Sequence, residues 1–440
     1  MALFGTDGVR GVANVDLTAE LALDLAVAAA HVLAEVGAIS KNRPKAIVGQ
    51  DSRASGEFLE AAIVAGLASA GVDVYKVGVL PTPAIAHLVA SSGADLGVMI
   101  SASHNPMPDN GIKFFAKGGG KLDDALELAI ESRLNEPWER PVGRDVGRVI
   151  TDESAAERYI FHLLSSLSVN LSGIKVVVDC ANGAASEVAP EVYARAGAEV
   201  IAISNQPNGL NINDNCGSTH LEKLISEVKR QGADLGIAHD GDADRCLAID
   251  ATGNLVDGDY ILAILAKAWK VPTVVGTVMT NLGFIKAMTE TGIAFEKTPV
   301  GDRYVLENML ANNHKLGGEQ SGHIIMRDFA NTGDGLLTAL QLMSVMAKTK
   351  KSLSELAKIM VRFPQVLINV DGVNKANLTT SKAIAAAIGE NESKLGANGR
   401  ILLRASGTEP LVRVMVEAES EVVAGEIAQK LATLVRLELS

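Results

Sequence analysis

Leu96-Gly-Val-Met-Ile-Ser-Ala-Ser-His-Asn-Pro106 runs from five apolar residues into a polar loop, and that change of character sets the fold class. A short apolar run bounded by turn residues reads as a strand that feeds a loop. Upstream, a β-rich run at 46–48, a helical stretch over 58–70 and a second β-rich run at 72–77 complete a βαβ texture. The texture returns with strands at 175–178, 199–203 and 235–238, separated by helices near 187–196 and 220–231. It returns a third time from Thr273, with strands at 273–278 and 294–297, helices over 282–291 and 304–312, and a loop at 317–323. The remainder differs. Strands at 365–370, 400–404 and 411–417, a helix near 382–388 and a long final helix toward Leu437 make a small α+β arrangement.

The 440 residues exceed what one hydrophobic core usually serves and suggest about three domains, give or take one. Local composition puts boundaries near Thr151, in the turn 251–257 and at Phe363 and Pro364. With 48% hydrophobic and 21% charged residues the chain is neither disordered, fibrous nor membrane-spanning in composition. The net charge of −12, without a Lys or Arg stripe, argues against a nucleic-acid partner, so an anionic ligand must find local positive charge. The apolar stretch 21–36 is broken by Asp24, His31 and Glu35, which argues against a signal peptide or a span. Cys180, Cys216 and Cys246 fit neither a disulfide framework nor zinc-site spacings, so a reducing cytoplasm is expected.

In parallel α/β sheets ligands collect beyond the carboxyl ends of strands, where helix N-termini leave backbone N–H groups free. Four polar loops after strands therefore stand out: Gly49-Gln-Asp-Ser-Arg53, Ser101-Ala-Ser-His-Asn-Pro106, Asp240-Gly-Asp-Ala-Asp-Arg245 and Gly317-Gly-Glu-Gln-Ser-Gly-His323. The sharpest is the third. Three carboxylates within five residues repel by about 4 kcal/mol per pair at about 4 Å and an effective dielectric near 20, unless something offsets the charge. A divalent cation does so, and all-oxygen ligands favour Mg²⁺. An EF-hand starting at Asp240 fails, because its sixth and twelfth positions are Arg245 and Ala251. A solvated acidic turn is the bland alternative.

Ser103 beside His104 invites a nucleophile reading, although a Ser ahead of Asn-Pro is more often a turn residue. No Gly-x-Ser-x-Gly elbow and no Walker A motif occurs. Lys113 could bring an ammonium near the same loop; a plain salt bridge is its competing role. The stretch Arg404-Ala-Ser-Gly-Thr-Glu-Pro410 with Arg413 places two guanidinium groups and small donors around a Gly, which suits a phosphate as well as it suits a hairpin turn.

Together these loops resemble those of the α-D-phosphohexomutase family, in the family's order and over the whole chain. The blocks are Phe4-Gly-Thr-Asp-Gly-Val-Arg-Gly11, 101–106, Asn211-Ile-Asn-Asp-Asn-Cys-Gly-Ser-Thr-His220, 240–245, 319–323 and 404–410. The resemblance implies three similar mixed-sheet α/β domains (1–150, 151–253, 254–364) and a smaller C-terminal α+β domain (365–440) around a central cleft. It implies that Ser103 is a phosphoserine, and that Asp240, Asp242 and Asp244 hold one Mg²⁺ together with a phosphate oxygen on Ser103. Lys113, Arg245 and His323 would lie near the transferring group. Thr6, Gly8, Arg10, Arg53 and His104, the loop Gly301-Asp302-Arg303, and Glu319 with Ser321 would contact substrate. Arg404, Ser406, Gly407, Thr408 and Arg413 would bind the phosphate that does not react.

The implied reaction exchanges glucosamine 6-phosphate and glucosamine 1-phosphate through a phosphoserine enzyme, with a sugar bisphosphate as primer or intermediate. The block 211–220, and Gln320 where many relatives carry Met, favour the amino sugar; a phosphomannomutase or phosphoglucomutase is the runner-up. The implied partner is a phosphosugar, with no nucleic acid and no membrane, and room for a homodimer. Water exclusion calls for a mobile last domain that closes over the ligand. Ala243 stands where many relatives have Gly, so the metal loop is expected to be a normal right-handed turn. A haloacid-dehalogenase-like phosphatase would need Thr or Val where the chain has Asp244, and a non-catalytic sugar-phosphate sensor would not need Ser103, Lys113 and the aspartates together.

Overall fold

The computed structural model describes residues 3–5, 7–40, 43–378, 380–405 and 411–439. They form two compact units, residues 1–279 with 293–358, and residues 280–292 with 359–440. Helix Leu282–Thr291 falls in the second unit, although the strands on either side of it fall in the first.

The first unit is built on three mixed sheets. The seven-stranded sheet runs Phe4–Gly5, Gly8–Val12, Asp109–Ala116, Leu96–Ile100, Lys45–Gln50, Asp73–Val79, Val149–Thr151 across its width. Its strands from Leu96–Ile100 outward to Val149–Thr151 are parallel, and those on the other side antiparallel. The five-stranded sheet has the order Leu255–Val256, Leu247–Asp250, Leu235–Ala238, Lys175–Asp179, Glu199–Ile203, and the four-stranded sheet Ala294–Thr298, Thr273–Thr277, Leu316–Gly318, Ile324–Met326. The central strands are buried along their whole length, which is why they read as apolar runs without alternation.

The three sheets share one device. Each has a parallel strand followed directly by an antiparallel neighbour: Leu96–Ile100 by Asp109–Ala116, Leu235–Ala238 by Leu247–Asp250, and Leu316–Gly318 by Ile324–Met326. The connecting loops carry Ser103, the three aspartates and His323 respectively. The chemistry therefore sits at the equivalent point of three sheets, where the strand direction reverses at a carboxyl end.

Around the first sheet, helices Ala19–Glu35 and Ser55–Ser69 bury Leu25, Leu33, Leu59, Ile63 and Leu67 in one cluster with Val48, Val74 and Val98. Burying each such side chain contributes about 1.5–3 kcal/mol. Thr18 starts the first of these helices by accepting from the Leu21 amide. The second unit has an antiparallel sheet, Gln365–Asp371, Leu411–Glu417, Arg400–Ala405. Helix Glu421–Glu438 packs Ile427, Leu431 and Val435 into its core with Val412, Val414 and Val416. Buried Glu417 ties the unit together, accepting from Arg400 Nε and the Leu282 amide at 2.6 and 3.0 Å. The three cysteines are free and buried, and among the described residues no helix is long and apolar enough to cross a membrane.

Candidate active site

Ser103 is the point from which the site is built. Its residue is buried and sits at φ +52°, a left-handed conformation that a serine holds only when its surroundings impose it. Arg53 imposes it. The guanidinium is fully buried and spends all five N–H groups. Nε donates to Asp51 Oδ2, Nη1 to the carbonyls of Pro106 and Asp109, and Nη2 to those of Ser103 and Asn105, at 2.6–3.0 Å. Asn213 Nδ2 donates to the Ser103 carbonyl as well. The expectation that Arg53 contacts substrate is thus corrected: with every donor used inside the loop, none is left for a phosphate.

The turned serine directs its Oγ to Asp240 Oδ2 at 2.5 Å. Gly241 makes the approach possible, since a Cβ there would lie 2.5 Å from the Ser103 carbonyl oxygen. Asp240, Asp242 and Asp244 are buried, which removes the solvated-turn alternative, and each offers an oxygen within 4.8 Å of the other two. Asp242 Oδ1 and Asp244 Oδ1 are buried without a hydrogen-bond partner. Burial first, and then Asp244 and Asp242, lift the Asp240 carboxyl to about 8. Converging carboxylates with orphaned oxygens and a hydroxyl beside them fit a hard divalent cation.

The metal loop is not the right-handed turn expected of it. Ala243 lies at φ +55°, held by its own amide, which donates to the Asp240 carbonyl, and by the Gly335 amide, which donates to the Ala243 carbonyl, both at 3.0 Å. Two backbone bonds in a buried setting outweigh the roughly 1–2 kcal/mol that a Cβ adds to this conformation. Thr82, at the start of helix Thr82–Ser92, adds its hydroxyl to Asp242 Oδ2 at 2.5 Å and its amide to the Asp242 carbonyl at 2.9 Å. The positive end of that helix meets the carboxylates.

Cations surround the triad. Lys113 is buried between Asp242 and Asp7, 2.8 Å from each; burial alone would lower its pKa, but the two carboxylates raise it well above the ordinary value. Arg245 Nε lies 3.8 Å from Asp244 and 4.0 Å from Asp240. His323 faces Asp244 through Nδ1, while Nε2 has Asp302 at 3.3 Å and the Gly333 amide at 3.0 Å. An amide N–H needs a bare nitrogen and a carboxylate needs N–H, so the ring has a partner in either protonation state. Burial pulls its pKa down, yet Asp244 and Asp302 carry it up to about 9. His104 Nδ1 is 3.4 Å from Ser103 Oγ, and burial, then Arg245 and Arg10, lower its pKa to about 4. Arg10 pairs with Asp7 and reaches toward Asn105 Oδ1 at 3.4 Å. Gly8 holds φ +81° under the Ile112 carbonyl.

Glu319 accepts from the Gly301 amide at 3.2 Å, and Ser321 Oγ is buried without a partner. Arg303 does not reach into this cluster: its guanidinium pairs with Asp124 and Glu307. In the second unit Arg404 and Arg413 stand directly opposite on neighbouring strands. Burial and then Arg413 lower the Arg404 pKa, and like charges in that register favour a bound anion. Thr6, Ser406, Gly407 and Thr408 lie outside the described residues. Sequence reasoning missed Asp7, Thr82 and Lys121. Asp7 lay inside a quoted motif and Lys121 follows three glycines, but nothing near Thr82 in the chain points to Asp242, 160 residues away.

The chain matches the description "Phosphoglucomutase/phosphomannomutase, alpha/beta/alpha domain" for domain I over residues 1–140, domain II over 157–253 and domain III over 257–363, and the C-terminal domain over 367–434. It is 62% identical to the phosphoglucosamine mutase of Streptomyces griseus over 448 residues, covering 99% of both chains. It is 61% identical to that of Acidothermus cellulolyticus, covering 99% of this chain and 96% of the relative. A phosphoglucomutase/phosphomannomutase family protein of Burkholderia thailandensis has a similar solved structure, with TM-score 0.83 at 23% identity, covering 100% and 98% of the two chains. The N-acetylphosphoglucosamine mutase of Aspergillus fumigatus, solved with GlcNAc-6P and magnesium, superposes with TM-score 0.70 at 19% identity, covering 100% and 96%.

Proposed function

The chain belongs to the phosphoglucomutase/phosphomannomutase family, and on that premise we propose that it interconverts glucosamine 6-phosphate and glucosamine 1-phosphate, feeding amino-sugar nucleotide and cell-wall precursor synthesis. The observation that carries the reading is the buried Ser103 hydroxyl held 2.5 Å from Asp240 in the three-carboxylate loop.

The working form carries a phosphate ester on Ser103 Oγ. A sugar hydroxyl oxygen attacks phosphorus; the new O–P bond forms, the Ser103 O–P bond breaks, and the hydroxyl proton passes to His323. Negative charge left on Ser103 Oγ is balanced by Lys113 and Arg245, both held by the aspartates. The bisphosphorylated sugar turns around, Ser103 Oγ attacks its other phosphate, and the departing sugar oxygen takes the proton back from His323. His323 takes the proton in its neutral form, which Asp244 and Asp302 make the minor one below about pH 9, while its contacts with the Gly333 amide and with Asp302 give each form a partner. Lys113 is held in the charged form by its carboxylates. Mg²⁺, held by Asp240, Asp242, Asp244 and an oxygen of the Ser103 phosphate, would spread the charge of the transferring group.

Glu319, Ser321 and the Gly301 loop are assigned to the sugar hydroxyls, and Arg404 with Arg413 to the phosphate that is not reacting. Comparing kcat/KM for glucosamine, glucose and mannose 6-phosphates tests the assignment. The amino sugar should lead. Equal or faster turnover of a neutral hexose phosphate would overturn the choice of substrate.

A further inference from the structure

Lys121 touches neither the aspartate triad nor Ser103, yet it closes a chain of alternating charge that joins the two ends of the site. Starting at Asp242, the contacts run to Lys113 Nζ, Asp7, Lys121 Nζ, Asp302, His323 and back to Asp244. Lys121 Nζ lies 2.5 Å from Asp7 Oδ1 and 2.7 Å from Asp302 Oδ2. It is the member that links the Lys113 end, on the first sheet, to the His323 end, on the third.

The backbone is shaped to deliver it. Strand Asp109–Ala116 ends in Lys117-Gly-Gly-Gly-Lys121, where the Ala116 amide donates to the Gly120 carbonyl and Phe115 bridges to Lys121. Gly119 has φ +80°, and a Cβ on it would lie 2.1 Å from the Ala86 carbonyl oxygen, so the turn lies flat on helix Thr82–Ser92. Asn331 Nδ2 reaches the Gly118 carbonyl at 3.4 Å, joining the turn to the loop whose Gly333 amide faces His323.

We propose that Lys121 is a positioning residue for this reaction, fixing Asp302 against His323 and Asp7 against Lys113 so that the proton-transfer group and the charge-balancing group stay in register. The proposal rests on the mutase reading above. Removing the Lys121 charge alone leaves Asp302 and Asp7 short of a buried cation, which costs stability whatever its role, so what separates positioning from stability is the kinetics of the folded fraction. Asp7 would keep Lys113 and Arg10 as counter-ions, but Asp302 would keep, among the described residues, only His323 as an ion-pair partner. Asp302 would then shift toward the imidazole or toward water, and the ring would lose its fixed orientation.

The test is steady-state kinetics on the full-length Lys121→Met, Lys121→Gln and Lys121→Arg variants with Mg²⁺ and glucosamine 6-phosphate, with the fraction of folded enzyme measured by circular dichroism. Loss of a partner that orients an active-site group typically lowers activity by about 10–100-fold. The expectation is a kcat loss of that size in Lys121→Met with KM within about twofold, a smaller loss in Lys121→Gln, and recovery in Lys121→Arg. If Lys121→Met does not fold, Lys121→Gln decides by the same split. Unchanged kcat per folded enzyme, or a loss confined to KM, would overturn the inference while wild-type mutase activity stands. An inactive wild type would instead overturn the reading on which it rests.

Discussion

Replacing Asp240 by Asn should stabilise the metal-free protein while ending its activity. The three carboxylates of the metal loop each place an oxygen within 4.8 Å of the other two. At about that separation and an effective dielectric near 20, each ionised pair opposes folding by roughly 3.5 kcal/mol. Asp240 escapes by keeping its proton, since burial, followed by Asp244 and Asp242, lifts its carboxyl to about 8. An aspartate in the unfolded chain loses that proton near pH 4, so between about pH 4 and 8 the unfolded state binds fewer protons and stability falls as pH rises. Over the roughly three pH units up to neutrality, at about 1.4 kcal/mol each, the loss is of the order of 4 kcal/mol. Asn carries no such loss and keeps an acceptor for Ser103 Oγ.

The assay is urea unfolding followed by circular dichroism, with EDTA or with saturating Mg²⁺. In EDTA near pH 8 the variant should have the higher midpoint, and the gap should narrow toward pH 5. With Mg²⁺ the wild type should rise by mass action and overtake it. A variant no more stable than wild type in EDTA, or a gap indifferent to pH, would refute the account of the triad as a charge trap awaiting a cation.

Ser103→Ala should abolish turnover while glucosamine 6-phosphate still binds, measured by calorimetry; residual turnover near wild type would contradict the nucleophile. Arg53→Met should lower stability by about 3–5 kcal/mol, because it leaves Asp51 buried without its ion-pair partner, and Arg53→Lys should recover little, because one ammonium cannot serve five acceptors; thermal melts report both. Ala243→Gly should retain activity and lose no stability, whereas Ala243→Val should melt earlier and bind Mg²⁺ more weakly, since a β-branched residue resists the left-handed turn.

The loops at 101–106, 240–245 and 319–323 were legible because their chemistry is local: a hydroxyl beside an imidazole, carboxylates two residues apart, a histidine after small polar residues. That all three occupy the same place in their sheets was not, since strand direction is decided by pairing across the sheet and leaves little trace in a single run. Ala243 misled because side-chain sterics argue against φ +55° while backbone bonds to Asp240 and Gly335, invisible in sequence, hold it there. Arg53 differs in another way. The resemblance placed it against substrate, and only the fold shows five carbonyl and carboxylate oxygens already around it. Lys121 left a faint mark, three glycines and then a lysine, whose meaning depends on Asp302, 181 residues away.

Site-resolved mass mapping of the purified protein, before and after incubation with glucosamine 6-phosphate, bears most directly on Ser103 as the phosphoryl carrier. One phosphoryl group should be found on Ser103, stable to hydroxylamine, and label placed there should pass to the sugar during turnover. Phosphate on an aspartate of residues 240–244, released by hydroxylamine, or a fully active enzyme with Ser103 never modified, would contradict the account.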